Sequence, residues 1–481
     1  MFTQRNVEKK GTVFIMKEMK ILAPCGILGY GFPKESFLNG MAEKPDAIVV
    51  DAGSTDAGPH KLGEGVAIVS DEASRRDLEL IITAAAQAGI PAIVGSAGGA
   101  GGRVHVERTM RIVASIIEEH RLQDLKTAVI WADIPKSFIK EKMKEGKIEK
   151  LGNLVKELTE ERLDDSSGVV AQMGHEPIVK ALREGAQLII CGRAYDPSPF
   201  AAVAAYYGFP LEYGYHAGKI LECAALCAVP GTTKDCMLGT IREDGFIIRP
   251  LSGIRKCTPL SVAAHTFYEK EHPYILHGPG VVMNLEACGF EQYGENSVMV
   301  KGSRIEKAPR YQVKLEGAVR VAYRTFVIAG VRDPIMLSML EEVERLVEEQ
   351  TREYYADIDP GRYQIHFLNY GIDAVMGAAE PLAMEKGHEA GVLFEVIADT
   401  QELANVICST LRSTFLHYGY PGRKSTAGNL AFPFAPSDIP FGPVYEFSVY
   451  HLMEITQEEM DGLFPVVFVD WEKEEQKWRP N

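Results

Sequence analysis

Between about residues 20 and 230 the chain alternates short apolar runs with longer stretches whose apolar residues recur at helical spacing. The runs are Lys20–Ala23, Ala47–Val50, Pro91–Val94, Thr127–Trp131, Val169–Met173 and Gln187–Cys191. Runs that are apolar at nearly every position predict strands buried on both faces. The stretches between them predict helices. Lys34–Ala42 has helical character, and Asp71 or Ser74 can cap a helix that Gly89 stops. A long amphipathic helix carries Met110, Val113, Ile116 and Ile117 on one face, and Pro177 suits the first turn of another. Ser137–Gly152 is charged and reads as a helical surface excursion. This alternation predicts a doubly wound α/β fold with a largely parallel sheet.

The pattern changes after about residue 233. Phe246–Arg249, Ser297–Val300, Tyr311–Leu315 and Val319–Phe326 alternate apolar and polar residues, and turn residues separate them. Met336, Met339, Leu340, Val343, Leu346 and Val347 form a helical stripe. Tyr363–Leu368, Val392–Ile397 and Val444–His451 read as strands, and Asp399 with Glu402 as a capping box. The expected organisation is a tail (1–18), an α/β domain (19–232), and an α+β region with antiparallel strands (233–481) that completes the site and carries oligomer contacts. The acidic stretch after Glu472 reads as frayed.

Composition narrows the function. Of 481 residues, 46% are hydrophobic and 24% charged, an ordinary globular balance, and the length predicts more than one core. The net charge of −15 argues against a nucleic-acid or anionic-membrane surface. No apolar stretch is long enough to span a bilayer, and the start lacks a signal-peptide pattern, so a cytoplasmic location is expected. The eight cysteines include no CxxC pair, which indicates neither a zinc ribbon nor a redox dithiol.

Candidate chemistry lies where the apolar runs break. After Ala47–Val50 come Asp51, Ser54, Thr55, Asp56 and His60, rich in groups that ligate or move protons. After Pro91–Val94 comes a glycine-rich run holding Ser96, Gly98, Gly99, Gly101 and Gly102, able to bring backbone N–H groups to an anion ahead of a helix. Its spacing fits neither the dinucleotide fingerprint nor the Walker loop. After Gln187–Cys191 come Arg193, suited to clamp a carboxylate, and Asp196, which can equally form a structural pair with it. His216, Lys219 and Glu222 follow at helical spacing, with a surface Lys–Glu pair the plain reading for Glu222. His175 with Glu176 can be a proton-transfer pair or a charged first turn, and His265 reads as a core histidine. Parallel sheets gather such loops along one edge, where ligands bind.

Six motifs carry a resemblance. VVDAGSTDAGPHKLG (49–63), IVGSAGGAGGR (93–103), ICGRAYDPSPFAA (190–202), HAGKILECAA (216–225), CTPLSVAAHTFYE (257–269) and VKLEGA (313–318) resemble the AtuA-like family, named for acyclic terpene utilisation in bacteria. The resemblance covers roughly residues 20–330. It implies a setting in which terpenoid acids are degraded as CoA thioesters, or one in small di- and tricarboxylate metabolism. It also implies a small partner subunit for chains without an extra C-terminal domain.

The expected function is therefore a lyase, more narrowly a hydratase or dehydratase, acting on a small carboxylate or its CoA thioester. Asp51 or Asp56 with His60 would transfer protons, and Lys219 would stabilise charge. Ser54, Thr55, Ser96, the four glycines, Arg193, Asp196 and His216 would bind substrate. No metal is assigned, and the cofactor is left open. A homo- or hetero-oligomer is expected. A metal- or base-assisted thioester or amide hydrolase is the second reading, and a non-catalytic ligand-binding subunit the third.

Overall fold

The computed structural model describes residues 7–9, 12–14, 18–53, 58–268, 272–382, 387–424 and 426–472. The chain divides into two compact units, one of residues 1–319 with 447–481 and one of residues 320–446.

A ten-stranded sheet organises the first unit. Its strands are β1 (Met19–Ala23), β2 (Ala47–Asp51), β3 (Ala92–Gly95), β4 (Thr127–Ile130), β5 (Leu188–Cys191), β6 (Met237–Ile241), β7 (Phe246–Pro250), β8 (Gly289–Tyr293), β9 (Ser297–Lys301) and β10 (Val466–Phe468). Their spatial order is β8-β9-β7-β6-β1-β2-β3-β5-β4-β10. The run from β1 through β2, β3 and β5 to β4 is parallel throughout. Antiparallel β6 extends it on one side and β10 closes the other. Ala47 and Val49 pack into one core while Ile48 and Val50 pack into another, all fully buried. Covering both faces is why β2 is apolar at every position before Asp51.

The helices follow their end signals. Asp71–Ala88 is capped by Ser70, whose side chain accepts from the Ala73 N–H, and it ends at left-handed Gly89. Arg103–Glu119 buries Met110, Val113, Ile116 and Ile117.

Val169–Ala171 departs from the expected pattern. It stands outside the parallel sheet and pairs antiparallel with Leu315–Gly317. Its apolar run is as buried as a sheet strand's, so periodicity could not separate the two partners. Part of the charged 137–152 stretch is also strand: Ile148–Lys150 pairs with His451–Met453. Val7–Lys9 pairs with Thr12–Phe14. The rest of residues 1–17, and the stretch after Glu472, lie outside the described residues.

The second unit is built on antiparallel ladders of its own. Tyr363–Tyr370 pairs with Ala390–Ala398, which pairs with Tyr323–Val331. The helices Leu340–Tyr354 and Gln401–His417 share a core with these strands, including Val343, Val347, Phe394 and Leu411. Thr400, rather than Asp399, caps Gln401–His417, accepting from the Leu403 N–H; Asp399 instead accepts from Arg362 at 2.8 Å.

Candidate functional site

The ends of β2, β3 and β5 are stitched into one shelf. Asp51, the last residue of β2, lies in register with Gly95, the last of β3. Past the strand ends, Ala52 N–H donates to Gly95 O at 2.9 Å, Ser96 N–H to Gly192 O at 3.1 Å, and Ala97 N–H to Cys191 O at 2.9 Å. Ser96 takes a left-handed φ of 48°, unusual for a residue with a side chain. From that position its Oγ accepts from Arg193 Nη1 at 3.0 Å and from the Ala194 N–H at 3.2 Å.

Arg193 is the hub of the shelf and only 2% exposed. Its Nε donates to Glu316 Oε2 at 2.9 Å, and its Nη1 to Asp196 Oδ1 at 3.0 Å. Lys314 reaches the same Glu316 carboxylate at 3.0 Å. Burial pushes the Glu316 carboxyl up, but Arg193 and Lys314 outweigh it and bring it down to about 2.

Three carboxylates converge beside this hub. Asp51, Asp196 and Glu222 each present an oxygen, and these oxygens lie within 4.8 Å of one another. Asp51 and Glu222 are buried, while the Asp196 side chain is 32% exposed and forms the open edge. Asp51 Oδ1 has no hydrogen-bond partner among the described residues. Burial, then the Asp196 charge, raise the Asp51 carboxyl well above the ordinary range against the pull of Arg193. Burial and the Asp196 carboxylate likewise raise Glu222 to about 7, although Lys219 opposes them.

Glu222 caps the C-terminal end of the helix Leu211–Leu221, which carries Lys219 in its last turn. Within that helix a Cβ at Gly218 would stand 2.8 Å from Pro197 O, so the glycine permits the close approach to the Asp196 loop. Lys219 Nζ donates to Glu222 Oε1 at 2.6 Å and sits 4.8 Å over the Tyr268 ring. Burial pulls its pKa down, but Glu222 raises it further, so the ammonium stays charged. Tyr268 stacks on His265 with ring centres 4.5 Å apart, and its hydroxyl meets Cys223 Sγ at 3.1 Å. His265 is buried with Nε2 unpartnered among the described residues; burial, then Lys219, lower it to about 4 and keep the ring neutral. The shelf thus holds proton acceptors, a fixed ammonium and an opening at Asp196.

Of the residues singled out from sequence, Asp51, Ser96, Arg193, Asp196 and Lys219 meet here. Ser54, Thr55 and Asp56 lie outside the described residues. His60 lies on the short helix Gly58–Glu64. At Gly101 a Cβ would overlap the Arg193 backbone nitrogen, and Gly98 and Gly99 abut His105 and Ile68. Gly102 precedes the helix Arg103–Glu119, whose Arg103 N–H donates to Asp133 Oδ1 at 3.0 Å. The anion at that helix start is therefore the chain's own carboxylate. His216 is fully buried, with Nδ1 2.7 Å from Ser303 Oγ and Nε2 3.1 Å from Thr266 Oγ1. His175 Nδ1 meets the Tyr215 hydroxyl at 3.0 Å, while Glu176 accepts from Tyr311 at 2.8 Å.

Glu222 makes the pair with Lys219 that its spacing predicts, but at 5% exposed it is buried and not on the surface, and its cue was the apolar Cys223-Ala224-Ala225 that follows. One member, Glu316, escaped sequence reading. Glu316 sits on the strand Gln312–Val331, and its cue was an acid among the apolar residues Val313, Leu315 and Ala318.

An α/β protein with a charged centre at the carboxyl edge of its parallel strands is thereby defined. The chain belongs to the family described as acyclic terpene utilisation family protein AtuA, whose model matches residues 71–430. That span includes Ser96, Arg193, Asp196, Lys219, Glu222 and Glu316, and Asp51 lies before it. No curated protein and no solved structure matches the chain. Among the described residues no helix is long and apolar enough to cross a membrane.

Proposed function

We propose that the chain is an acid–base lyase, a hydratase or dehydratase, acting on a small carboxylate or its CoA thioester within acyclic terpene or related acid utilisation. The observation that carries the reading is the convergence of Asp51, Asp196 and Glu222 around Lys219 at the strand ends. Buried charges add little to stability, since well-packed apolar residues of similar volume do as well. Such a cluster at the ligand-binding edge of a parallel sheet points to chemistry.

Elimination of water beside a carbonyl needs a base for the α-proton, an acid for the departing hydroxyl, and positive charge near the enolate oxygen. An ionised carboxylate of the cluster accepts the α-proton, and a carboxyl that burial keeps protonated, Asp51 or Glu222, gives its proton to the departing hydroxyl, which leaves as water. Lys219 supplies the positive charge, held in place by Glu222 and the Tyr268 face. Arg193 acts through Asp196, which it orients, because its guanidinium is occupied by Glu316, Ser96 and Asp196.

The test is exchange of solvent deuterium into a panel of dicarboxylates and acyl-CoA thioesters, followed by NMR. The chain should label at least one compound at the carbon next to its carbonyl. Lys219→Met should abolish labelling while the circular dichroism spectrum is kept. Absence of labelling across the panel, or full labelling by a folded Lys219→Met variant, would overturn the reading.

A further inference from the structure

We infer that Asp51, Asp196 and Glu222 hold a divalent cation of the hard, oxygen-loving class: Mg2+, Mn2+ or Ca2+. The inference deepens the lyase reading and rests on that reading's choice of centre.

Geometry comes first. The three carboxylates come from separate places in the chain, a strand end, the loop after β5 and a helix end, yet each brings an oxygen within 4.8 Å of the others. Oxygens bound to one Mg2+ or Mn2+ stand about 3 to 4 Å apart, and those on Ca2+ somewhat more, given bond lengths of about 2.0–2.6 Å. The donor set is all oxygen, which suits Mg2+, Mn2+ and Ca2+, whereas thiolate and imidazole donors mark the sites built for zinc and copper.

Charge is the second argument. Around the centre stand four carboxylates (Asp51, Asp196, Glu222, Glu316) and three cations (Arg193, Lys219, Lys314). Arg193 and Lys314 both lie on Glu316, so the trio keeps Lys219 and a share of Arg193. Three carboxylates this close in a medium of low dielectric cannot all stay ionised on that share of positive charge: they keep protons or take up a cation, and a divalent ion neutralises the trio without protonating it.

Independently of the cluster's composition, Asp51 is 3% exposed and its Oδ1 has no donor among the described residues. A buried carboxylate oxygen without a donor carries a desolvation penalty that a cation removes. Asp196 stands at the open edge, so an ion there would keep water ligands and an exchangeable position for a substrate carboxylate. Among the described residues a second candidate group, Glu79, Glu119 and His120, is largely exposed, and Glu119 is already paired with Arg75.

Full-length protein stripped with EDTA should be titrated with Mn2+ while free Mn2+ is followed by EPR, with Mg2+ and Ca2+ as competitors. One Mn2+ should bind per chain and raise the thermal midpoint by several degrees. Asp51→Asn and Glu222→Gln should each weaken binding at least tenfold, and Glu119→Gln should leave it intact. Should a buried variant fail to fold, Asp196→Asn at the open edge carries the same expectation. No Mn2+ bound by the native chain up to millimolar concentration, or binding unchanged in the folded variants, would overturn the inference. Deuterium labelling that persists in stripped, non-binding protein overturns the cation and leaves the lyase. One bound Mn2+ without any labelling does the reverse.

Discussion

Arg193 Nε lies 2.9 Å from Glu316 Oε2, with side chains only 2% and 8% exposed. These residues come from distant parts of the chain, and their pairing ties the loop after β5 to the strand Gln312–Val331. Removing one partner leaves an uncompensated buried charge. Glu316→Ala should therefore destabilise the protein by about 3–5 kcal/mol in urea unfolding. It should also release Asp196 and suppress deuterium labelling. A variant within 1 kcal/mol of the native protein would show that the pair is not holding the shelf.

Gly53 faces the same hub. A Cβ there would stand 2.6 Å from Ser96 Cβ and 2.8 Å from Arg193 Nη1. Gly53→Ala must displace one of them, at about 1–3 kcal/mol. Labelling should fall more than stability does, because Arg193 orients Asp196. Thermal melts and exchange assays on the same preparation read the two effects. Equal activity in the variant would mean that the hub tolerates the shift.

His216 tests the other side of the site. Its two ring nitrogens meet Ser303 and Thr266 in the core. His216→Ala would open a cavity and take the imidazole partner from both hydroxyls, leaving Ser303 Oγ to Cys288 Sγ at 3.6 Å, at a cost on the order of 2–4 kcal/mol. Chemical denaturation should show that loss. An unchanged midpoint would contradict a structural role.

Glu344 makes the second unit sensitive to pH. It is buried beside Asn369, whose Nδ2 donates to Glu344 Oε2 at 3.1 Å, while Glu344 Oε1 and Asn369 Oδ1 have no partner among the described residues. Burial raises Glu344 from an ordinary 4.5 to about 7, with Asp373 and Glu341 adding to the effect against the Asn369 hydrogen bond. In the unfolded chain it ionises near the ordinary value, so from there to about pH 7 the unfolded state loses its proton first. Stability should fall as pH rises through that window, by on the order of 3 kcal/mol, and stay level above it. Glu344→Gln should flatten the slope and be the more stable protein at pH 8. Persistence of the slope in the variant would assign it to another group.

What could be read ahead of the structure was whatever local rules govern. Ala47–Val50 announces a strand covered on both faces because every position is apolar, and Gly89 announces a helix end because a left-handed cap favours glycine. The place of Asp51, Arg193 and Asp196 follows from the same rules, since parallel strands end at one edge, and Asp51 closes such a strand while Arg193 and Asp196 come just after one. The glycine motifs made the family resemblance legible, and the family match bears it out.

Tertiary structure decided the partners. Val169–Ala171 and the sheet strands share one apolar signature, and only packing sent the former to Leu315–Gly317. Nothing local distinguishes a Lys219–Glu222 pair on a surface from one buried against Asp51 and Asp196. The Arg193–Glu316 pair spans more than a hundred residues, beyond the reach of any periodicity. Hydrophobic spacing reports which face of an element is covered, because burial depends on each residue's own transfer free energy. Which charges meet across the covered faces depends on chain topology, and that is what brings Asp51, Asp196, Lys219 and Glu222 together.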